Sequence, residues 1–375
     1  MTLSSSVWDT DTEFARKVRS NQDRLRSALR SEYDFVVCGA GTSGSVIARR
    51  LAENPSIHVL LIEAGGDDNV PSVVDPTAWS ANIGTDRDWG YISEPEPALG
   101  GRRLHMAMGK VLGGGSGINA MAWSRGHARD WDLFADESGD KSWSYQSVLN
   151  IYRRIEDWRG DPDPEYRGTG GEVVVRPAPD PHPVALAMLQ GAKEIGLPHY
   201  DNANGAMMEA DRGVAIGDLR VQDGQRLSAF RSYTYPYMDR PNLTVLSDAL
   251  VTCVIVDGHR AIGVEIAYRG QLLEITTAAE VGAPRSRRRR APRRTRSASV
   301  CRHRSAWGGP LGREVLPVPC SPALWGPQAT PSLRCGHAGP ASLLDFGPEV
   351  QRPGRRDVRC QQAMARAHSA HRRDD

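Results

Sequence analysis

The first 280 residues of this 375-residue chain hold only two cysteines, Cys38 and Cys253. No disulfide framework can be built from them, and such usage fits a reducing compartment, so a cytoplasmic location is expected. Lysine is scarce: Lys17, Lys110, Lys141 and Lys193 are the only four, among 47 basic residues. No run of about 18 apolar residues occurs, which excludes a transmembrane helix. The N-terminus has no apolar stretch ahead of a small-residue cleavage site, so no secretory signal is expected. Net charge is also small, at +2 with 39% hydrophobic residues. That balance fits a globular protein and argues against wholesale disorder. At roughly 150 residues per domain, the length allows two domains and an appendage.

The overall balance conceals two compositions. Residues 281–375 carry 19 arginines, no lysine, 6 acids and 11 of the 25 prolines, together with Cys301, Cys320, Cys335 and Cys360. Residues 1–280 carry 28 basic and 39 acidic residues. The tail has no helical or strand period. Its run at 285–297 is the footprint left by nucleic-acid binders and by localisation signals. A disordered arm, or a stretch read out of frame in a GC-rich gene, has the same composition. The all-arginine, proline-rich text begins abruptly inside a strand-like pattern, which favours the out-of-frame reading, so no nucleic-acid partner is expected. The tail cysteines are spaced by 19, 15 and 25 residues without a CxxC, which gives a zinc module little support.

At the other end, Asp9, Thr10 and Asp11 offer a helix cap. Phe14, Val18, Leu25 and Leu29 then share one helical face. Residues 1–32 therefore read as a helical extension docked on the main domain.

The chemistry begins at residue 33. YDFVVC at 33–38 reads as a buried strand. Gly39-Ala40-Gly41-Thr42-Ser43-Gly44 follows, then an apolar helical stripe of Val46, Ile47, Ala48, Leu51 and Ala52. A second apolar strand at 57–62 ends at Glu63, 19 residues past the last glycine of the motif. This is a βαβ unit with GxGxxG at its first turn. Gly39 permits the tight turn, Gly41 lets the backbone approach a pyrophosphate, and Gly44 lets helix and strand pack. The helix N-terminus offers free N–H groups and a positive dipole end to an anion. Thr42 and Ser43 add hydroxyl donors, and Glu63 accepts hydrogen bonds from the adenosine ribose. An acid there disfavours a 2′-phosphate, and the unit alone leaves NAD and FAD open.

A second outlier is Gly109-Lys110-Val111-Leu112-Gly113-Gly114-Gly115-Ser116-Gly117-Ile118-Asn119. A loop this rich in glycine suits close backbone approach to a flat ligand. Here the chain resembles the glucose–methanol–choline (GMC) oxidoreductases. Residues 109–132 fit that family's first signature, and the opening βαβ unit is similar to its N-terminus. So are Trp89-Gly90-Tyr91, Glu94-Pro95-Glu96-Pro97, Trp143-Ser144-Tyr145, residues 226–231 and residues 241–245. The resemblance covers about residues 33–280 and is closest to the choline-dehydrogenase-like branch.

The resemblance implies an α/β fold. An FAD-type Rossmann-like domain would occupy 33–155 and resume at 241–280, and part of an antiparallel-sheet substrate domain would occupy 156–240. Residues 281–375 would be unrelated to the family. It implies FAD as cofactor, which sets the NAD alternative aside, and a small alcohol, choline-like or another primary alcohol, as substrate. The electron acceptor stays open. Gly39, Gly41, Thr42, Ser43, Gly44 and Glu63 would hold the ADP half. Gly113, Gly114 and Asn119 would lie along the pyrophosphate and flavin, and Val251 would meet the adenine through its backbone. His105 stands one residue away from the position at which some members attach flavin covalently, so no covalent link is expected. His127, His182 and His199 read as surface or packing residues, and Cys38 and Cys253 as small buried hydrophobes. Strands at 251–256, 261–268 and 271–277 follow, joined by tight turns. The family's second signature and its C-terminal histidine are missing after 280. The chain as written is therefore expected to be a truncated and inactive FAD-dependent alcohol oxidoreductase. The alternatives are a non-catalytic nucleotide-binding remnant, or a binder that uses its basic tail.

Overall fold

The computed structural model describes residues 12–282. The arginine-rich tail and its four cysteines lie outside these residues, as do the cap candidates Asp9, Thr10 and Asp11.

The strands used below are β1 (Glu32–Cys38), β2 (Val59–Ile62), β3 (Ala122–Trp123), β4 (Glu156–Trp158), β5 (Val173–Pro177), β6 (Asp218–Leu219), β7 (Leu243–Leu246), β8 (Ala249–Asp257), β9 (Arg260–Tyr268) and β10 (Gln271–Gly282). The helices are α1 (Glu13–Ser27), α2 (Thr42–Ala52), a single turn α3 (Gly115–Ile118), α4 (Ala128–Ser138), α5 (Tyr145–Ile155) and α6 (Pro183–Glu194).

The main sheet has six strands in the order β7-β2-β1-β10-β9-β8. β7, β2, β1 and β10 run parallel, and β8, β9 and β10 form an antiparallel meander. β2 is buried at every position, as expected of a central parallel strand covered on both faces. Its side chains alternate between two cores. Val59 and Leu61 join Val37, Ala48, Ala52, Leu243 and Val245 on the helical face. Leu60 and Ile62 join Val36, Leu246, Val264, Ile266 and Ile275 on the other. The meander thus covers the face that the helices leave open.

β10 departs from the expected span of 271–277. Its first half pairs with β9 up to the Gly263–Thr276 position, and its second half pairs in parallel with β1 through Phe35–Glu280, Val36–Val281 and Val37–Gly282. A meander partner and then a parallel partner keep one strand extended for 12 residues.

The helix α1 begins at Glu13, with Thr12 as its cap: Ala15 N–H donates to Thr12 Oγ1 at 3.1 Å. Leu29 lies past the helix end and packs on the meander-side core, whereas Phe14 and Val18 pack on the helical side. The four apolar residues therefore do not form one face. Beside the buried Ala15 and Val18, docking uses the buried polar Gln22. Its Nε2 donates to Met238 O at 2.8 Å and Leu243 O at 2.9 Å, while Val245 N–H donates to its Oε1 at 3.0 Å. With Arg26 Nε, which donates to Val245 O at 2.9 Å, this amide satisfies the free edge of β7.

A smaller sheet has the order β3-β6-β5-β4. β4 and β5 run parallel, and the remaining pairs are antiparallel.

Candidate cofactor site

The first glycine loop leaves β1 and turns at Gly39, whose φ of +91° lies in the left-handed region where glycine costs least. Gly39 N–H donates to Ile62 O at 2.6 Å, which keeps the turn at the end of β2. Gly44 is fixed by packing, since a Cβ there would overlap the Gly39 carbonyl oxygen. α2 starts at Thr42 with Gly41 as its cap residue and no side-chain cap. The first N–H groups of the helix therefore remain available to an anion. Thr42 and Ser43 are both exposed at this end.

The second loop folds directly onto the first. Gly113 N–H donates to Ala40 O at 2.9 Å. A Cβ on Gly114 would stand 2.7 Å from Gly41 Cα, so the two loops touch glycine to glycine with no side chain between them. Gly113 and Gly114 have φ of +99° and +52°. Ser116 holds the loop from within: its Oγ donates to Gly113 O at 2.6 Å and accepts from Ala229 N–H at 2.9 Å.

A third segment closes the cradle. Leu112 N–H donates to Gly66 O at 3.1 Å, and a Cβ on Gly65 would overlap the backbone at Lys110 and Val111. Glu63 binds all of this together. Its Oε2 accepts from Ala40 N–H at 2.8 Å and its Oε1 from Gly65 N–H at 2.9 Å. Burial pushes its carboxyl pKa up, against the opposing pull of those backbone donors. Each oxygen keeps a further lone pair for a ligand hydroxyl. Ala249 N–H donates to Glu63 O at 2.9 Å, so the strand that carries Val251 starts beside Glu63.

Gly39, Gly41, Thr42, Ser43, Gly44, Glu63, Gly113, Gly114 and Asn119 thus lie on three adjoining loops, with Val251 on the neighbouring strand. The donor set fits an anionic dinucleotide: an uncapped helix N-terminus, a glycine-only contact between loops and an acid at the end of β2. Sequence reasoning missed how Gly65 and Gly66 brace the second loop. The run Glu63-Ala64-Gly65-Gly66 was the available signal.

The histidines lie elsewhere. His105 Nε2 stands 3.3 Å from Asp88 Oδ2 in an outlying hairpin. His127 and His182 cap α4 and α6, where their Nδ1 atoms accept from Arg129 and Val184 N–H groups. Burial pushes the Cys38 thiol up to about 12, so it stays protonated and inert at neutral pH. Among the described residues no cluster of acids, histidines and cysteines could hold a metal ion. No helix among them is long and apolar enough to cross a membrane.

Comparison with known proteins assigns the class. The GMC oxidoreductase family model matches residues 33–282, and the chain belongs to that family. The matched portion is similar to curated choline dehydrogenases. An oxygen-dependent choline dehydrogenase of Brucella anthropi is 37% identical over 236 residues, covering 63% of this chain and 42% of the relative. One from Sinorhizobium fredii is 36% identical over 246 residues, covering 65% and 44%. The chain thus matches less than half the length of these relatives. Among solved structures, pyridoxine 4-oxidase from Mesorbium loti superposes with a TM-score of 0.61 at 33% identity, covering 65% of this chain and 48% of that one. An Aspergillus oryzae formate oxidase studied for modification of its FAD gives 0.59 at 26% identity, covering 67% and 44%. Family and neighbours together indicate FAD.

Proposed function

We propose that residues 33–282 form the FAD-binding half of an alcohol oxidoreductase of the choline-dehydrogenase-like type. The observation that carries this reading is the direct contact of Gly41 with Gly114, made where an uncapped helix N-terminus and Glu63 converge. When bound, FAD would supply an acceptor for the hydride leaving an alcohol C–H bond.

This chain's own residues would do the binding. The α2 N-terminus and Gly41 would meet the pyrophosphate, and the Thr42 and Ser43 hydroxyls would donate beside it. Glu63 would accept from ribose hydroxyls with the lone pairs its backbone donors leave free. Gly113, Gly114 and Asn119 would hold the remainder of the cofactor, and the start of β8 around Val251 would face the adenine. The domain division follows the same logic: 33–155 and 241–280 on the cofactor side, 156–240 on the substrate side.

Removing the hydroxyl proton of an alcohol needs a base within reach of the substrate. Among the described residues no histidine lies on the cradle. The chain as written should therefore bind FAD without turning over an alcohol. Flavin titration of the full chain tests the binding. A Gly41→Ala Cβ would meet only Gly114 Cα, at 3.9 Å, an ordinary van der Waals contact. That variant should keep the parent's unfolding midpoint yet lose about tenfold or more in FAD affinity, because the methyl group lies on the path of the pyrophosphate. Unchanged affinity would refute the cradle. Rapid choline-dependent dye reduction by the purified chain would refute the inactive assignment.

A further inference from the structure

We infer that Arg226 is a positioning residue of the cofactor site: it locks the Asn119 side-chain amide with its NH2 group on the open side of the second glycine loop, as a donor to the bound cofactor. This rests on the FAD reading above.

Arg226 is among the largest fully buried side chains of the protein, at 1% exposure. A buried guanidinium ordinarily has a carboxylate partner, yet among the described residues none forms an ion pair with it. It donates to backbone and amide oxygens instead. Nε reaches Val73 O at 2.8 Å. Nη1 reaches Asn119 O at 2.6 Å, Asn119 Oδ1 at 3.0 Å and Ser116 O at 3.3 Å. Three of these four acceptors belong to the turn that ends the second glycine loop. Burial, with Arg220 nearby, pushes its pKa down to about 10, which leaves it charged at neutral pH. Nη2 is buried with no hydrogen-bond partner among the described residues. So much unrecovered desolvation at one side chain calls for a role beyond packing.

That role is visible at Asn119. Its Oδ1 accepts from Arg226 Nη1 and also from Met121 N–H at 3.0 Å. The second bond closes a short turn that holds Met121 at φ +59°. Two donors converge on one end of the amide, so the opposite orientation would set NH2 against both of them. The NH2 must therefore point away from Arg226. Asn119 is exposed, whereas Ser116, Gly117 and Ile118 before it are buried. The outward donor thus sits at the end of the loop whose middle glycine, Gly114, touches Gly41. ADP would use only the first loop and Glu63, whereas FAD would also reach this donor.

Equilibrium binding of ADP and of FAD to the full chain tests the inference. Arg226→Met should weaken FAD by about tenfold, the size of one directed hydrogen bond, and leave ADP within about twofold. Asn119→Ala should do the same, and the double variant should lose no more than the worse single one. Losses that multiply, or ADP weakening in step with FAD, would overturn the inference. A measurement on the parent chain covers the case in which Arg226→Met does not fold. The Asn119 side-chain NH2 resonance, assigned through Asn119→Gln, should move with FAD and stay put with ADP; a resonance indifferent to FAD refutes the assignment. A parent chain that binds ADP but not FAD would sink the cofactor reading itself, and this inference with it. A parent chain that binds FAD while the losses multiply would sink this inference alone.

Discussion

Around Gly41 and Gly114 the chain meets itself through backbone alone, whereas around Glu156 it meets itself through charged side chains from distant segments. Glu156 lies between Arg125 Nη2 at 2.5 Å and the Nε and Nη2 of Arg167, each at 2.9 Å. Arg167 Nη1 continues to Asp218 Oδ2 at 2.7 Å, which also accepts from Asn204 Nδ2 at 2.7 Å. Asn204 Oδ1 accepts from Arg125 N–H at 2.8 Å and closes the ring. All five residues are buried. Burial pushes the Asp218 carboxyl up and the Arg125 guanidinium down, in each case against the pull of its partners. The first region leaves its helix N-terminus uncapped, whereas the second turns most of its charged groups on one another. A binding site and a structural clamp can thus both be rich in polar groups, and what separates them is whether the donors are already engaged.

The comparison can be broken most forcefully at Glu156. Glu156→Gln leaves two buried guanidinium groups short of a counter-charge and should cost about 3–5 kcal/mol of stability. ADP affinity of the protein that remains folded should be unchanged. Urea unfolding beside an ADP titration measures both, and a large loss of ADP affinity would join the two regions.

The next largest effect is expected at Gly44. Gly44→Ala forces a methyl group onto the Gly39 carbonyl oxygen, and overpacking of this kind costs about 1–3 kcal/mol. Here stability and FAD affinity should fall together, because the turn that holds the fold would also hold the cofactor. A variant that lost neither would show that the turn is looser than its geometry.

The smallest effect is one of pH. The Glu63 carboxyl is raised by burial in the folded chain, so folding favours its neutral form. The stabilisation this gives is fully present below the ordinary glutamate pKa and is lost as pH rises through the raised folded value. Stability of the ligand-free chain should therefore decline over that window. Glu63→Gln should flatten the decline while lowering stability overall, since its NH2 group opposes one backbone donor. An unaltered slope would assign the titration to another group.

Much of the cradle could be read in the primary structure, for reasons that particular residues make plain. Gly39 and Gly44 announce a turn and a close helix–strand contact because few other residues tolerate either. Glu63 announces itself by its distance from them. The clamp was not legible, because nothing local marks Arg125, Arg167, Asn204 and Asp218 as partners across as many as 93 residues. Gln22 was missed for a related reason. A periodicity argument seeks apolar residues on a buried face, and a polar one that caps a sheet edge breaks the pattern. The cap of α1 and the length of β10 were misjudged by a few residues, since a helix cap needs a reach of three positions and a strand end depends on its neighbours.

By itself the amino-acid order determined the βαβ unit, the two glycine loops and the family, because each rests on residue types whose backbone requirements are local. Only the tertiary structure decided that the loops touch, that Gly65 and Gly66 brace them and that Arg226 orients Asn119. Those facts depend on where distant segments come to rest, and that is set by the packing of two cores around one sheet.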